Sequence, residues 1–197
     1  MPPFQLINSS DTVPGDGSLP PEFVLRAGPK TDIWAKPNAP QAFNAPILFQ
    51  SMPLHAFTRA RVSLNAEWQQ EYDQGGLLLV LNTPDSKHHG TRQWVKAGIE
   101  LTHGKPHLSV VTRDRWADWS LRPIPSGGNA ATLEFAREAD DSLWIYLVEG
   151  EQRSPLREVT WIFEKEVGEL WIGVYAAQPS EGDGLAVKFS DLVIEKR

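Results

Sequence analysis

The stretch Trp94-Val95-Lys96-Ala97-Gly98-Ile99-Glu100-Leu101-Thr102-His103-Gly104-Lys105-Pro106-His107-Leu108-Ser109-Val110-Val111-Thr112-Arg113 decides the fold. Two alternating runs rich in Val, Ile and Leu flank a turn marked by Gly104 and Pro106, the pattern of a β-hairpin. Folding about that turn sets Leu101 opposite Leu108, Ile99 opposite Val110 and Ala97 opposite Thr112, so these six share the core side. The other side carries Trp94, Lys96, Gly98 and Glu100 on the first strand and Ser109, Val111 and Arg113 on the second. This register places Lys96 across from Arg113. Like charges facing each other across a sheet repel, so the pair calls for an anion, from Glu100, Asp73, Asp114 or Asp118. A polar outer face is the default for an antiparallel sheet. As a binding surface, the same face offers the Trp94 ring and open space above Gly98.

Outward from the hairpin, short β-prone runs separated by turn residues fill the chain at 46–51, 57–66, 76–82, 107–114, 132–137, 143–149, 156–164, 170–177 and 185–195. The best helical window, Glu67 to Asp73, is short and runs into Gly75-Gly76. The expectation is an all-β fold of two antiparallel sheets. Pro and Gly are spread along the whole sequence, so no linker divides it. Residues 1–22 read as a polar, Pro-rich, irregular lead-in that Phe4 and Leu6 pin to the body. Residues 23–197 read as one domain.

The chain has 197 residues, 41% of them hydrophobic, which is enough for a sizeable core. Its 19 basic and 25 acidic residues give a formal charge of −6. That balance argues against a nucleic acid partner and against anionic lipid surfaces. The absence of cysteine removes disulfides, thiolate nucleophiles and Cys-ligated zinc, and it suits a reducing compartment. The longest apolar run, Leu77 to Leu81, is far short of a membrane span. With no basic n-region before an apolar run at the start, the expectation is a cytoplasmic protein without a membrane anchor.

Three blocks together resemble the "regulation of enolase" family of the concanavalin A-like lectin/glucanase superfamily. They are Glu71-Tyr72-Asp73-Gln74-Gly75-Gly76-Leu77-Leu78-Leu79, the hairpin above, and Asp118-Trp119-Ser120. Further matches are Thr31-Asp32-Ile33-Trp34, Leu156-Arg157, Gly173-Val174-Tyr175-Ala176-Ala177-Gln178-Pro179 and Val187-Lys188-Phe189. The resemblance implies a jelly-roll β-sandwich in which one concave sheet carries the ligand groove. It also implies a role in carbohydrate metabolism and a metabolic enzyme such as enolase as a partner. Fold alone does not give chemistry. The segment Pro84 to Arg92 looks long for this family and is a candidate carrier of individual specificity.

Glycoside hydrolases of that superfamily place carboxylates on alternate positions of one concave strand. Here that strand has Lys96 and Glu100, a single carboxylate beside a lysine, where glycosidase chemistry wants two. The histidines lack metal-ligand spacing, and no nucleotide fingerprint occurs, so neither a metal nor a cofactor is expected. The ligand-binding candidates are Trp94, Lys96, Glu100, Arg113, Gln74, Trp119 and Ser109. If the protein is an enzyme, Lys96, Glu100, Asp73 and His107 are its proton-handling groups in a cofactor-free isomerase, cyclase or lyase. The first expectation is a cytosolic protein that binds a small carbohydrate or related metabolite in the groove and acts as a regulator. Arg157 is a further residue able to reach that face.

Overall fold

The computed structural model describes residues 2–13, 16–82, 92–164 and 168–197. Two antiparallel sheets stack face to face. The seven-stranded sheet runs β1 (Gln5–Ile7), β5 (Ile47–Pro53), β14 (Glu169–Ala177), β7 (Gln74–Asn82), β8 (Trp94–Thr102), β9 (Lys105–Arg113), β10 (Ala117–Pro123). The six-stranded sheet runs β13 (Gln152–Val159), β12 (Leu143–Glu149), β11 (Ala130–Arg137), β6 (Phe57–Asn65), β15 (Leu185–Lys196), β2 (Glu22–Ala27). A two-stranded ribbon pairs β3 (Ile33–Trp34) with β4 (Ala42–Phe43). Among the described residues the one helical element is a 3-10 turn at Leu54–Ala56, and the window at Glu67 to Asp73 is loop. The lead-in expected to be irregular supplies β1, which pairs with β5, and Phe4 and Leu6 pack against the core.

The hairpin forms with its strands shifted by two residues from the expected pairing. His103 at φ 53° and Gly104 at φ 75° are both left-handed, the backbone demanded by a two-residue hairpin loop of mirror-image type. The strands therefore begin pairing at Thr102 with Lys105, and Pro106 joins the ladder opposite Leu101. Ile99 faces Leu108, Ala97 faces Val110, and Lys96 faces Val111. A two-residue shift keeps every side chain on its expected face but changes its neighbours. The expected Lys96–Arg113 opposition does not occur, because Arg113 lies across from Trp94.

The inner faces make one apolar cluster in which Leu77, Leu79, Val95, Ala97, Ile172 and Val174 meet Val62, Leu133, Phe135, Ile145 and Phe189. A second cluster lies on the outer face of the seven-stranded sheet. There Ile33 and Ala45 cover Ile47, Phe49, Leu78, Val80, Trp94, Val111 and Tyr175. The β3–β4 ribbon thus roofs a face that an antiparallel sheet normally leaves to water, and every residue of β8 is buried. At one side, the edge strands β13 and β10 of the two sheets are joined: Arg157 Nη2 donates to Asp118 Oδ2 at 2.8 Å and Nη1 to the Asp118 carbonyl at 3.3 Å. The expectation that Arg157 reaches the binding face is therefore corrected. No described helix is long and apolar enough to cross a membrane.

Candidate functional site

Lys96 sits on the outer face of β8 at 1% exposure, an ammonium removed from water. Its Nζ donates to Gln74 Oε1 at 2.5 Å and lies 3.8 Å from Asp32 Oδ1. The rings of Tyr175, Trp94 and Trp34 surround it, their centroids at 5.5, 5.7 and 6.0 Å. Burial lowers the Lys96 pKa, and the negative charges of Asp32 and Glu100 oppose that shift. The anion that Lys96 demands is mainly Asp32, which is outside the set read from the sequence.

Gln74 is fixed from both ends. Its Oε1 also accepts the Tyr175 hydroxyl at 3.4 Å, while its Nε2 donates to the Tyr72 carbonyl at 3.2 Å and to Asp32 Oδ1 at 3.4 Å. Burial raises the Tyr175 pKa well above its ordinary value, so its hydroxyl stays a donor. Two residues beyond Gly98, Glu100 is buried and accepts from Ser109 Oγ at 2.7 Å through Oε2. The Trp119 indole N–H donates in turn to Ser109 Oγ at 2.9 Å. Burial raises the Glu100 pKa, against the pull of Lys96 and the Ser109 bond.

A cavity of about 280 Å³ opens over these groups, walled by Trp34, Tyr72 and Trp119, with Asp32, Gln74 and Glu100 among its polar lining and Lys36 and Pro179 completing it. Trp34 meets Trp119 edge to face at 5.9 Å, and Tyr72 meets Trp119 at 6.3 Å. Tyr72 holds a left-handed backbone at φ 70°, unusual for an aromatic residue, which turns its exposed ring toward Trp119. A larger groove of about 760 Å³ lies under the N-terminal segment, lined by Pro2, Phe4, Pro21 and Gln50 among others. It contains none of the candidate residues, so the smaller cavity is where the chemistry gathers.

The structure brings Gln74, Glu100 and Trp119 to the cavity wall and places Lys96 and Ser109 directly behind them. Other expectations are corrected. Trp94 is fully buried against Lys96 and offers a ligand no ring face. Gly98 opens no space, because a Cβ there would stand 1.8 Å from the Gly75 carbonyl oxygen; glycine is required by the close approach of β7. Asp73 lies outside the cavity lining, accepting from the amides of Gln69 and Gln70 at 3.0 and 2.9 Å and from Gln178 Nε2 at 2.9 Å. It holds the turn that presents Tyr72 and Gln74. His107 opposes Glu100 on β9, but its Nδ1 donates to the Lys105 carbonyl at 3.0 Å and it does not line the cavity. Arg113 donates to Gln41 Oε1 at 2.6 Å, away from the cavity, and burial lowers its pKa. Most of the Pro84 to Arg92 segment lies outside the described residues; Arg92 itself stacks on Phe43 at 4.5 Å. Among the described residues no three His, Asp or Glu side chains gather as a metal site.

The residues missed from sequence were Asp32, Trp34, Lys36, Tyr72 and Pro179. Asp32 and Trp34 stand one residue apart on the ribbon, where the signal was the Thr31-Asp32-Ile33-Trp34 block.

A protein of Emericella nidulans described as uncharacterised is 59% identical over 98% of this chain and 95% of its own length. "Regulation of enolase protein 1" of Saccharomyces cerevisiae is 29% identical over 69% of this chain and 62% of that protein. A Saccharomyces cerevisiae protein of unknown function, solved by crystallography, shares the fold at TM-score 0.77 and 21% identity, covering 98% of this chain and 96% of that one. A prokaryotic β-1,3-1,4-glucanase shares it at TM-score 0.50 and 6% identity, covering 92% and 81%. At these identities the solved structures speak for the concanavalin A-like jelly-roll fold alone. The family model that matches spans residues 18–197, and the chain belongs to the family described as "Protein of unknown function (DUF1349)".

Proposed function

We propose that the protein binds a small oxygenated metabolite, carbohydrate-derived or related, in the cavity between Trp34, Tyr72 and Trp119, without hydrolysing it. One observation carries this reading: a buried glutamate lines an aromatic-walled cavity, and a buried lysine stands directly behind it. Buried ionisable groups cost stability, and a protein keeps them together beside a cavity chiefly where they serve a site. Hydrolysis is disfavoured because Asp32, the second carboxylate of the cavity, is tied to Lys96, Gln74 and its own neighbouring amide at Ile33. A cytoplasmic regulatory role, with a metabolic enzyme such as enolase as partner, rests on the yeast relative's name and on the cysteine-free composition.

A second reading is a cofactor-free isomerase, cyclase or lyase in the same cavity. It is favoured by the pairing of Glu100 in the cavity wall with Lys96 behind it, burial pushing the first pKa up and the second down. The full chain and its Trp34→Ala, Trp119→Ala variant are incubated with a cell metabolite extract, and bound and free pools are compared by mass spectrometry. An unchanged compound held by the wild type alone is the expected result. Conversion of one compound to an isomer or fragment by the wild type alone replaces binding with turnover. Identical pools from both proteins refute the site.

A further inference from the structure

The cavity walls come from segments far apart in the chain: Tyr72 from the turn before β7, Asp32 and Trp34 from the ribbon, Pro179 from just beyond β14. The direct bond between the start of β7 and the ribbon, Gln74 Nε2 to Asp32 Oδ1, is long at 3.4 Å. A tighter route runs outside the cavity lining through Asp73 and Gln178, which are 1% and 2% exposed. Gln178 Nε2 donates to Asp73 Oδ1 at 2.9 Å, and Asp73 Oδ2 accepts from the Gln69 and Gln70 amides that shape the turn. Toward the ribbon, the Gln178 amide donates to Thr31 Oγ1 at 3.0 Å, and the Thr31 amide donates back to the Gln178 carbonyl at 3.1 Å. Gln178 Oε1 accepts from the Gly184 amide at 2.9 Å, so the side chain is held at both ends. Thr31 directly precedes Asp32, and Gln178 directly precedes Pro179.

We propose that Asp73 and Gln178 are a positioning pair: neither touches the ligand, and together they fix the Tyr72 turn against the ribbon that carries Asp32 and Trp34. This rests on the cavity being a binding site and adds the device that sets its shape. Two polar side chains buried side by side are costly unless bonded, and the bonds of this pair lead to the turn, to the residue before Asp32 and to Gly184. Ser180 Oγ adds a bond to the Glu71 carbonyl at 2.6 Å, an exposed one for which water competes. Trp119, on β10, belongs to neither segment yet meets both Trp34 and Tyr72, so its ring reports their spacing.

The test exchanges the two head groups. Asp73→Asn alone turns an amide nitrogen toward Gln178 Nε2, and Gln178→Glu alone sets carboxylate against carboxylate. In the double variant the new amide at position 73 keeps its oxygen on the Gln69 and Gln70 amides and donates to the new carboxylate at position 178, which still accepts from Gly184. The full chain is labelled with fluorotryptophan, its Trp34 and Trp119 signals are assigned with Trp34→Phe and Trp119→Phe, and fluorine NMR spectra are recorded well below Tm. Each single variant is expected to shift or broaden the Trp34 and Trp119 signals and to leave Trp144, on the six-stranded sheet, in place; the double variant restores both. A pair that only stabilises the fold lowers Tm and moves no native signal. Unmoved signals in the single variants, or a double variant as displaced as the two singles combined, overturn the proposal. If a single variant does not fold, the double variant decides by the same signals. The cell metabolite extract is then added to each protein. Wild type and double variant should respond at Trp34 and Trp119, and the single variants should need about tenfold more extract. A wild type that does not respond refutes the cavity reading, while the spectra without extract still judge whether the pair joins the walls.

Discussion

Each sheet carries one charged side chain at 1% exposure on its outer face, Lys96 on the seven-stranded sheet and Glu134 on the six-stranded sheet, and the two are treated differently. Glu134 is ion-paired with guanidinium groups: Arg153 Nε stands 2.9 Å and Arg59 Nη1 3.6 Å from its oxygens, with no hydrogen-bond geometry at Oε1. Those arginines are about 40% exposed and tied onward to Glu138 and Glu195, so water and further charge share the load. Lys96 has a neutral amide, a carboxylate at 3.8 Å and three rings. One charge is neutralised by its surroundings, the other only partly. A fold that needs only stability resolves a buried charge as it does at Glu134; the shortfall at Lys96, beside a cavity, marks the face kept for a ligand.

The comparison breaks most sharply at Glu134. Removing it as Glu134→Ala leaves two half-exposed arginines facing each other, and chemical denaturation is expected to show a loss of about 2 kcal/mol. A loss under about 1 kcal/mol would mean that the cluster contributes no more than an exposed pair.

The pH dependence of stability separates the two charges of the cavity. Glu100 has its folded pKa raised, so the native state binds its proton more tightly and stability falls as pH rises from the ordinary value of 4.5 through the raised one. Lys96 has its folded pKa lowered, so its contribution has the opposite slope: stability rises with pH from the lowered value toward 10.5. Each slope reaches up to about 1.4 kcal/mol per pH unit inside its window. Glu100→Gln should flatten the acid-side slope and Lys96→Met the alkaline one; denaturation midpoints measured across pH, with both slopes surviving in both variants, would contradict the assignment.

Lys96→Met gives a smaller effect of the opposite sign to Glu134→Ala. Gln74 keeps Tyr175 as a donor and Asp32 keeps the Ile33 amide, so thermal denaturation should show a gain of about 1 kcal/mol. A marked loss would mean that Lys96 is as well served as Glu134. The exposed pair Lys30–Glu181, with side chains 71% and 78% exposed, sets the floor: Lys30→Ala should move stability by less than about 0.5 kcal/mol in the same assay.

Much of the sandwich was legible because strands such as β7 and β14 are long apolar runs between turn residues, and β8 and β9 alternate cleanly. β3 and β4, at two residues each, have no periodicity to read, and β10 is a mostly exposed edge strand. The unread ribbon is what buries the polar face and delivers Asp32 and Trp34 to it. The hairpin's faces were legible from alternation, whereas its pairing depended on His103 taking a left-handed backbone, a preference that a non-glycine residue advertises weakly. The demand of Lys96 for an anion was visible, but its source lies 64 positions earlier in the chain, a proximity only the tertiary fold creates.

The clasp between Arg157 and Asp118 bears on how copies of the protein meet in a crowded solution. An edge strand offers a row of free backbone groups on which another chain can align and grow into aggregate. On β10 the Arg157 guanidinium already occupies the Asp118 carbonyl on the free edge. A neighbouring strand arriving there finds an acceptor already taken. The join that closes one side of the sandwich also makes β10 a poor template for another chain.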